Sequence, residues 1–400
     1  MHAEAADREK KGGGFWKKKS RVLKKSWLFF EKRRVVFEKR RRGMKKKRFR
    51  LIEIEILLLT LLRLSGLTRR QKTGNRMKCK FEIGDISTYR SELMGWAIVW
   101  IMMLHFTFTQ VKPLGFVAQY GFAGVELFIM VSGLGLFFSL LKDGNLKRFY
   151  KKRLLRIFPA YYLLGIFGSW LLHHDTLWQY LVRYSTIGFW TGGLYAEWYI
   201  PSIVALYAVA PLLKGLFDRR QLVAVALLCV ALLAVSFVVV ALQLVDKGEP
   251  HFFLLYRIPA FVLGMACAFW LVNGISAGRK YFLGLMAVGV VAFALLYPNH
   301  HQVYNYKYFS LLFLLPLLTV VLTTVSKLCP WVNPVMRAIG TASLEIYIIQ
   351  GMFFHAILTG QMTIPAAWHD AVAVGLIVGS TLSGMAAHWL IGKSGINRLF

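Results

Sequence analysis

Long runs of apolar residues follow one another from residue 92 almost to the end of the chain, and they predict membrane-spanning helices. A span needs roughly 20 mostly apolar residues. The ten predicted spans are 92–110, 121–141, 157–172, 198–217, 222–245, 252–272, 281–298, 308–326, 341–360 and 371–392. The polar and aromatic stretch 173–197 is expected to lie at a membrane interface. The predicted fold class is therefore all-α, a polytopic membrane helix bundle.

The loops between these spans alternate in charge, and the alternation predicts an orientation. With the N-terminus in the cytoplasm, the cytoplasmic loops and tail carry 16 Lys and Arg, and the opposite loops carry 4. Such an excess is what the positive-inside rule requires. We therefore predict that both termini are cytoplasmic and that the protein crosses the cytoplasmic (inner) membrane many times.

The composition agrees with this class. Apolar residues make up 56% of the chain and charged residues 17%, whereas a soluble domain carries about 25% charged residues. The four cysteines are scattered singly, without a CxxC motif or a Cys/His cluster. The sequence therefore predicts neither a disulfide framework nor a metal site.

Most of the net charge of +31 lies in a basic, low-complexity head. Residues 1–76 hold 26 Lys and Arg against 7 Asp and Glu. Such a head could bind an anionic inner leaflet, could be disordered, or could precede a true start at Met44 or Met77. It shows no recognition fold for nucleic acid, so no nucleic-acid partner is predicted. The predicted domains are this head and a transmembrane domain at 77–400.

Charged side chains inside the apolar runs are the candidates for chemistry, because a charge within a bilayer is costly and usually has a function. Glu126 lies in the segment GVELFIMVSG at 124–133, and His105 lies near the end of the first span. The basic run KRFYKKRLLR at 147–156 follows the second span. Glu126 enters its span from the side on which the first span ends, so we expect it at a depth similar to that of His105.

Six segments together resemble the acyltransferase 3 family of integral membrane O-acyltransferases, over about residues 77–395. They are YRSELMG at 89–95 with MLHF at 103–106, GVELF at 124–128 with Ser132-Gly133, RLLRIFPAY at 153–161, EWYIP at 197–201, RIP at 257–259 with Gly264, and IGTASLEIY at 339–347. Many members have an arginine separated from the first-span histidine by ten residues. Here that position is Met94, and the nearest arginine is Arg90. Members often have a histidine where this chain has Gln350.

The resemblance implies that His105 is the catalytic base, which would take a proton from a sugar hydroxyl as that oxygen attacks a thioester. A histidine that only packs between helices is the alternative. Glu126 could orient His105, as the carboxylate of a catalytic triad does. Alternatively, Glu126 forms a structural pair with Arg257 of another span.

The basic run is the predicted binding site for the phosphates of an acyl-coenzyme A. Arg148, Lys152 and Arg156 recur at a spacing of four, on one face of a helix. Arg153 and Arg156 match the family segment, and arginine can bind phosphate through two donors at once. The alternative is ordinary anchoring of a cytoplasmic loop. Pro159 suits the first turn of the next helix.

Glu197, Arg257 and Glu345 also lie in or near spans, where they could line an acceptor cavity or join helices. The predicted activity is transfer of an acyl group, most simply acetyl, from acyl-coenzyme A to a hydroxyl of a glycan or lipid-linked sugar. Acyl-coenzyme A is a co-substrate, and no permanently bound cofactor is predicted. The activity corresponds to O-acetylation of a polysaccharide of the cell envelope. The alternative function is a transporter or flippase without acyl chemistry, because intramembrane His, Glu and Arg also form proton relays.

Overall fold

The computed structural model describes residues 80–242, 254–275, 277–296 and 306–394, and within these ranges the chain is helical, with no strand. The predicted head at 1–76 lies outside the described residues. The described α-helices are α1 (Ile83–Thr88), α2 (Arg90–Phe106), α3 (Lys112–Ala118), α4 (Phe122–Lys142), α5 (Leu146–Gly168), α6 (Leu177–Tyr184), α7 (Ile187–Thr191), α8 (Tyr199–Asp218), α9 (Leu222–Ala241), α10 (Ile258–Val272), α11 (Gly278–Leu296), α12 (Tyr306–Leu328), α13 (Asn333–Thr341), α14 (Ser343–Leu358) and α15 (His369–Lys393).

Several of these helices are long and apolar enough to cross a membrane. Within the described ranges there are six such helices, or up to seven if the bent pair Pro330–Thr341 and Ser343–Leu358, with 71° between its halves, counts as one span. The chain is thus a multi-pass membrane protein. The predicted number of ten spans is not confirmed, because α2, α10 and α14 have 17, 15 and 16 residues and α5, which contains most of the predicted third span, begins with the basic run. The cytoplasmic placement of both termini stays a prediction.

Helix α4 forms the centre of the bundle. It is apolar on all sides, a pattern typical of a helix buried among other helices, and it packs against α2, α8, α10 and α12. Gly133 and Gly264 allow α4 and α10 to approach closely, because a Cβ at either position would collide with a backbone carbonyl of the other helix. By contrast, α9 and α11 expose most of their apolar side chains, as helices that face lipid do.

Helices α2 and α4 run antiparallel, and their register determines the depth of Glu126. A Cβ on Gly124 would lie 2.6 Å from the carbonyl oxygen of Ala97, and a Cβ on Gly135 would lie 2.6 Å from Cζ of Arg90. Glu126 is therefore level with the turn around Ala97, about two turns or roughly 11 Å from His105. The expectation of a shared depth was wrong because it ignored this register.

Helix α5 joins the basic run to the predicted third span without a break. Asn145 caps it by accepting a hydrogen bond from the backbone N–H of Arg148 at 3.0 Å. Pro159 lies inside the helix, and not in the first turn of a new one as predicted. A π-helical turn, Ser169–His173, follows. Arg153 and Arg156 are consequently carried into the bundle on a single rigid helix.

Candidate active site

A cavity of about 250 Å³ lies between α2, α4, α5, α8 and α14. Apolar side chains such as Ile101, Phe128 and Ile203 line much of it. Its polar residues include Arg90, Ser132, Arg153, Arg156, Tyr199, Tyr207, Ser343 and Tyr347. A largely apolar cavity with a few converging polar groups is the usual form of a small-molecule site.

Two of the arginines in this cavity, Arg90 and Arg153, have no carboxylate partner among the described residues. The Nε atom of each is buried without a hydrogen-bond partner there. The guanidinium of Arg90 rests against Gly135, where the lack of a side chain leaves room for it. A buried donor without an acceptor is costly, so these two arginines make the cavity suitable for an anion.

Arg156 also lines the cavity, but it is bound to a carboxylate. Its guanidinium donates to both oxygens of Glu345, at 2.7 and 3.3 Å, and to the carbonyl oxygen of Thr341 at 3.1 Å. The side chain of Glu345 is fully buried, and His388 Nδ1 lies 3.2 Å from its Oε1. Arg156 thus joins α5 to α14, and Glu345 is its structural partner.

The other two predicted donor ligands lie on the surface. The side chains of Arg148 and Lys152 are 67% and 57% exposed, and both contact Asp143, at 3.4 and 3.7 Å. Neither lines the cavity. The structure therefore divides the predicted basic site in two: Arg153 and Arg156 line the cavity, whereas Arg148 and Lys152 are exposed nearer the start of α5.

Glu126 pairs with Arg257. Nε of Arg257 donates to Oε1 of Glu126 at 2.8 Å, and each residue is 1% exposed. The guanidinium also lies over the rings of Trp198 and Tyr256, 4.8 and 4.6 Å from their centroids. The structural alternative for Glu126 is thus the one observed, and the predicted contact with His105 is replaced by this pair.

His105 is bound to Gln350 instead. The Nδ1 of His105 and the Oε1 of Gln350 are 2.6 Å apart. The imidazole stacks on the ring of Phe354, with centroids 4.1 Å apart and 8° between the planes. Ile101, one turn before His105 on the same face of α2, lines the cavity. His105 therefore lies just beyond one end of the cavity.

The segment after His105 is held by Asp370. The carboxylate of Asp370 accepts hydrogen bonds from the backbone N–H groups of Thr109, Gln110 and Val111, at 2.8, 3.1 and 2.6 Å. The chain turns sharply at Thr107, whose φ is 53°. These bonds fix the end of α2, and with it the backbone that carries His105.

Glu197 faces a second, smaller cavity of about 30 Å³. Its Oε2 accepts a hydrogen bond at 3.1 Å from the hydroxyl of Tyr347, which lines the larger cavity. Gly351 makes room for the carboxylate, since a Cβ there would collide with Oε1. Tyr347 and Glu197 thus connect the two cavities.

The second cavity also contains His173 and His355, whose ring centroids are 4.6 Å apart. Burial lowers the pKa of His173 to about 4, so its ring is neutral. The nearby Asp175 accepts hydrogen bonds from Arg183 at 2.7 and 2.9 Å, which hold the pKa of this carboxyl below its usual range. Among the described residues, no group of three or more His, Cys, Asp or Glu could hold a metal ion.

Three residues of this arrangement are not indicated by the sequence pattern. Arg90 is displaced from the family position at Met94, but the two are one helical turn apart and both line the cavity. At Gln350 the sequence suggests that a functional residue has been lost, because members of the family often have histidine at this position. Asp370 gives no signal, because its bonds reach a loop 259 to 261 residues away.

The fold and the site define a multi-pass membrane protein with a cationic cavity inside its helix bundle. The family model described as "Acyltransferase domain" matches residues 93–390, and the chain belongs to this family, acyltransferase 3. The chain is 29% identical over 189 residues to "Putative acetyltransferase ORF330" of Acidianus two-tailed virus. That alignment covers 43% of this chain and 53% of the viral protein. No solved structure matches the chain.

Proposed function

We propose that the protein transfers an acyl group, most simply acetyl, from acyl-coenzyme A to a hydroxyl of a glycan or lipid-linked sugar. The observation that carries this proposal is the pair of arginines without carboxylate partners among the described residues, Arg90 and Arg153, in a cavity whose lining reaches Ile101, one helical turn before His105. Family membership and the name of the viral relative support acyl transfer.

The arginines would hold phosphates of the donor. A cavity of about 250 Å³ is too small for a whole coenzyme A, but it can admit the acylated pantetheine arm, with the adjoining pyrophosphate against Arg90 and Arg153. The adenosine end would then remain at the surface, where Arg148 and Lys152 are exposed. On the orientation predicted from loop charge, this mouth faces the cytoplasm, where acyl-coenzyme A is made, and the membrane is the cytoplasmic one.

His105 would act as general base. As the acceptor oxygen attacks the thioester carbonyl carbon, the imidazole takes the hydroxyl proton. The carbon–sulfur bond then breaks, and the leaving thiolate receives that proton from the imidazolium. The products are the ester and coenzyme A thiol, so no proton is gained or lost. General-base catalysis contributes about 10²–10⁴-fold to a rate.

The acceptor would approach from the side of Glu197. The carboxylate of Glu197 can accept a hydrogen bond from a hydroxyl group in the small cavity that Tyr161 and Tyr184 also line. Tyr347, whose hydroxyl bonds Glu197, lines the donor cavity and links it to this side. The two substrates would therefore meet at α14, near His105.

The test is transfer of labelled acetyl from acetyl-coenzyme A to membrane glycan by the purified protein in lipid nanodiscs. We expect wild-type protein to transfer the label and the His105→Gln variant to lose at least about 100-fold of the rate. His174→Gln, at an exposed position that lines neither cavity, is the matched control. Equal rates for wild type and His105→Gln would contradict the mechanism. Solute uptake by vesicles without any labelling would favour the transporter.

A further inference from the structure

Gln350 lies in an environment that fixes the direction of its amide. Its Nε2 donates to the backbone carbonyl oxygen of Tyr347 at 3.1 Å, and its Oε1 faces His105 at 2.6 Å. A flipped amide would place Oε1 against the carbonyl oxygen of Tyr347, where two acceptors would repel each other. The hydrogen-bond network therefore assigns oxygen to the side of His105.

An amide oxygen can only accept a hydrogen bond, so the Nδ1 atom of His105 must carry the proton. In the neutral imidazole the other nitrogen, Nε2, then has the free lone pair. Among the residues that the structure describes, none is bonded to Nε2. The stacking on Phe354 prevents the ring from turning away. One tautomer and one ring orientation are thus selected together.

We infer that Gln350 is a positioning residue: its amide oxygen keeps the proton of neutral His105 on Nδ1 and leaves Nε2 to take the proton of the acceptor hydroxyl. This inference rests on the proposed function, in which His105 is the base. Gln350 has the role that a carboxylate has in a catalytic triad, but without a charge. A neutral amide is less costly within a membrane than a carboxylate, and Glu126 is engaged with Arg257.

The tautomer can be measured without knowledge of the acceptor. Nitrogen NMR of histidine-labelled, full-length protein in nanodiscs, at a pH where imidazoles are neutral, distinguishes Nδ1–H from Nε2–H. The His105 signals are those that disappear in the His105→Gln variant. We expect Nδ1–H in the wild type, and an Nε2–H form would overturn the inference. This measurement of the His105 tautomer needs no substitution at position 350.

The Gln350→Met variant keeps the length of the side chain and removes the acceptor. We expect it to lose the Nδ1–H preference and to move towards Nε2–H, the form that imidazole side chains favour in water. Gln361→Met is the matched control, because the amide of Gln361 donates to the carbonyl oxygen of Leu172 at 2.9 Å. An unchanged Nδ1–H tautomer in Gln350→Met would overturn the inference.

Transfer kinetics give a second, separate readout. The Gln350→Met variant should lose kcat, by up to the about 10²–10⁴-fold that general-base catalysis contributes, with the KM for acetyl-coenzyme A nearly unchanged. A purely structural role would alter both parameters or the stability. If wild-type protein transferred no acetyl, the proposed function would fail while the tautomer could still be read, so the two failures are distinguishable.

Discussion

Two groups of arginines lie at different levels of the same bundle, and they differ in what neutralises them. Arg257 is held by Glu126 and by two aromatic rings, with both charged residues 1% exposed. Arg90 and Arg153 line a cavity, and the described residues give them no carboxylate. In the first group the two charges neutralise each other within the protein. The second group is balanced only when an anion enters, so it is where a ligand is expected.

The largest expected effect on stability comes from breaking the ion pair of Glu126 and Arg257. Glu126→Ala leaves Arg257 buried without its counter-charge, which costs about 3–5 kcal/mol. We expect the apparent Tm in nanodiscs to fall markedly. The paired variant Glu126→Leu/Arg257→Leu should recover most of the loss, and recovery of acetyl transfer with it would show that Glu126 has no catalytic role. Equal stability of Glu126→Ala and wild type would contradict a structural pair.

Removing a member of the second group should affect ligand binding and leave stability nearly unchanged. Arg153→Ala deletes a charged hydrogen-bond donor worth about 1.5–3 kcal/mol, so the Kd for acetyl-coenzyme A should rise roughly 10- to 150-fold. Calorimetry with the exposed Arg219→Ala as control measures the change. A marked fall in Tm for Arg153→Ala, with donor affinity intact, would place Arg153 with the structural group.

A smaller effect is expected from moving Arg90 without removing it. The Cβ introduced by Gly135→Ala would lie 2.6 Å from Cζ of Arg90, so the guanidinium must shift. We expect donor affinity to fall about tenfold, the equivalent of about 1.4 kcal/mol. Gly215→Ala is the control, because a Cβ there meets nothing within 4 Å. If both variants bound acetyl-coenzyme A equally well, Arg90 would not contact the donor.

The smallest effect is expected from the exposed cations. Arg148→Ala and Lys152→Ala should raise the Kd for acetyl-coenzyme A by less than about threefold, because exposed ion pairs contribute little. The small difference should vanish as salt is added, which a titration at two salt concentrations measures. If either variant lost as much affinity for acetyl-coenzyme A as Arg153→Ala, the phosphates would bind at the surface and not in the cavity.

The residue pattern predicts much of this architecture because apolar length and loop charge are local properties. The helices and the membrane class follow from them, whereas the family is indicated by the resemblance of six short segments. The pattern also supplies Arg257 as an alternative partner of Glu126. Which alternative holds depends on register: Gly124 and Gly135 set α4 against α2, and a shift of two turns separates Glu126 from His105.

Other features depend on contacts between distant segments of the chain. His105 and Gln350 are 245 residues apart, so no local pattern could join them. By its place in the sequence, Arg90 does not match the family's arginine position, which is Met94 in this chain. The two residues are one helical turn apart, however, and both line the cavity. The number of ten spans stays a prediction, because apolar length alone does not distinguish a spanning helix from a shorter helix buried in the bundle.

The most direct test of the central claim is calorimetric titration of acetyl-coenzyme A into wild-type protein and into the Arg90→Ala/Arg153→Ala variant in nanodiscs. We predict saturable binding by the wild type and its loss in the variant, with the Tm of both proteins alike. Undiminished binding by the variant, or no binding by the wild type, would contradict the claim that these two arginines hold the donor.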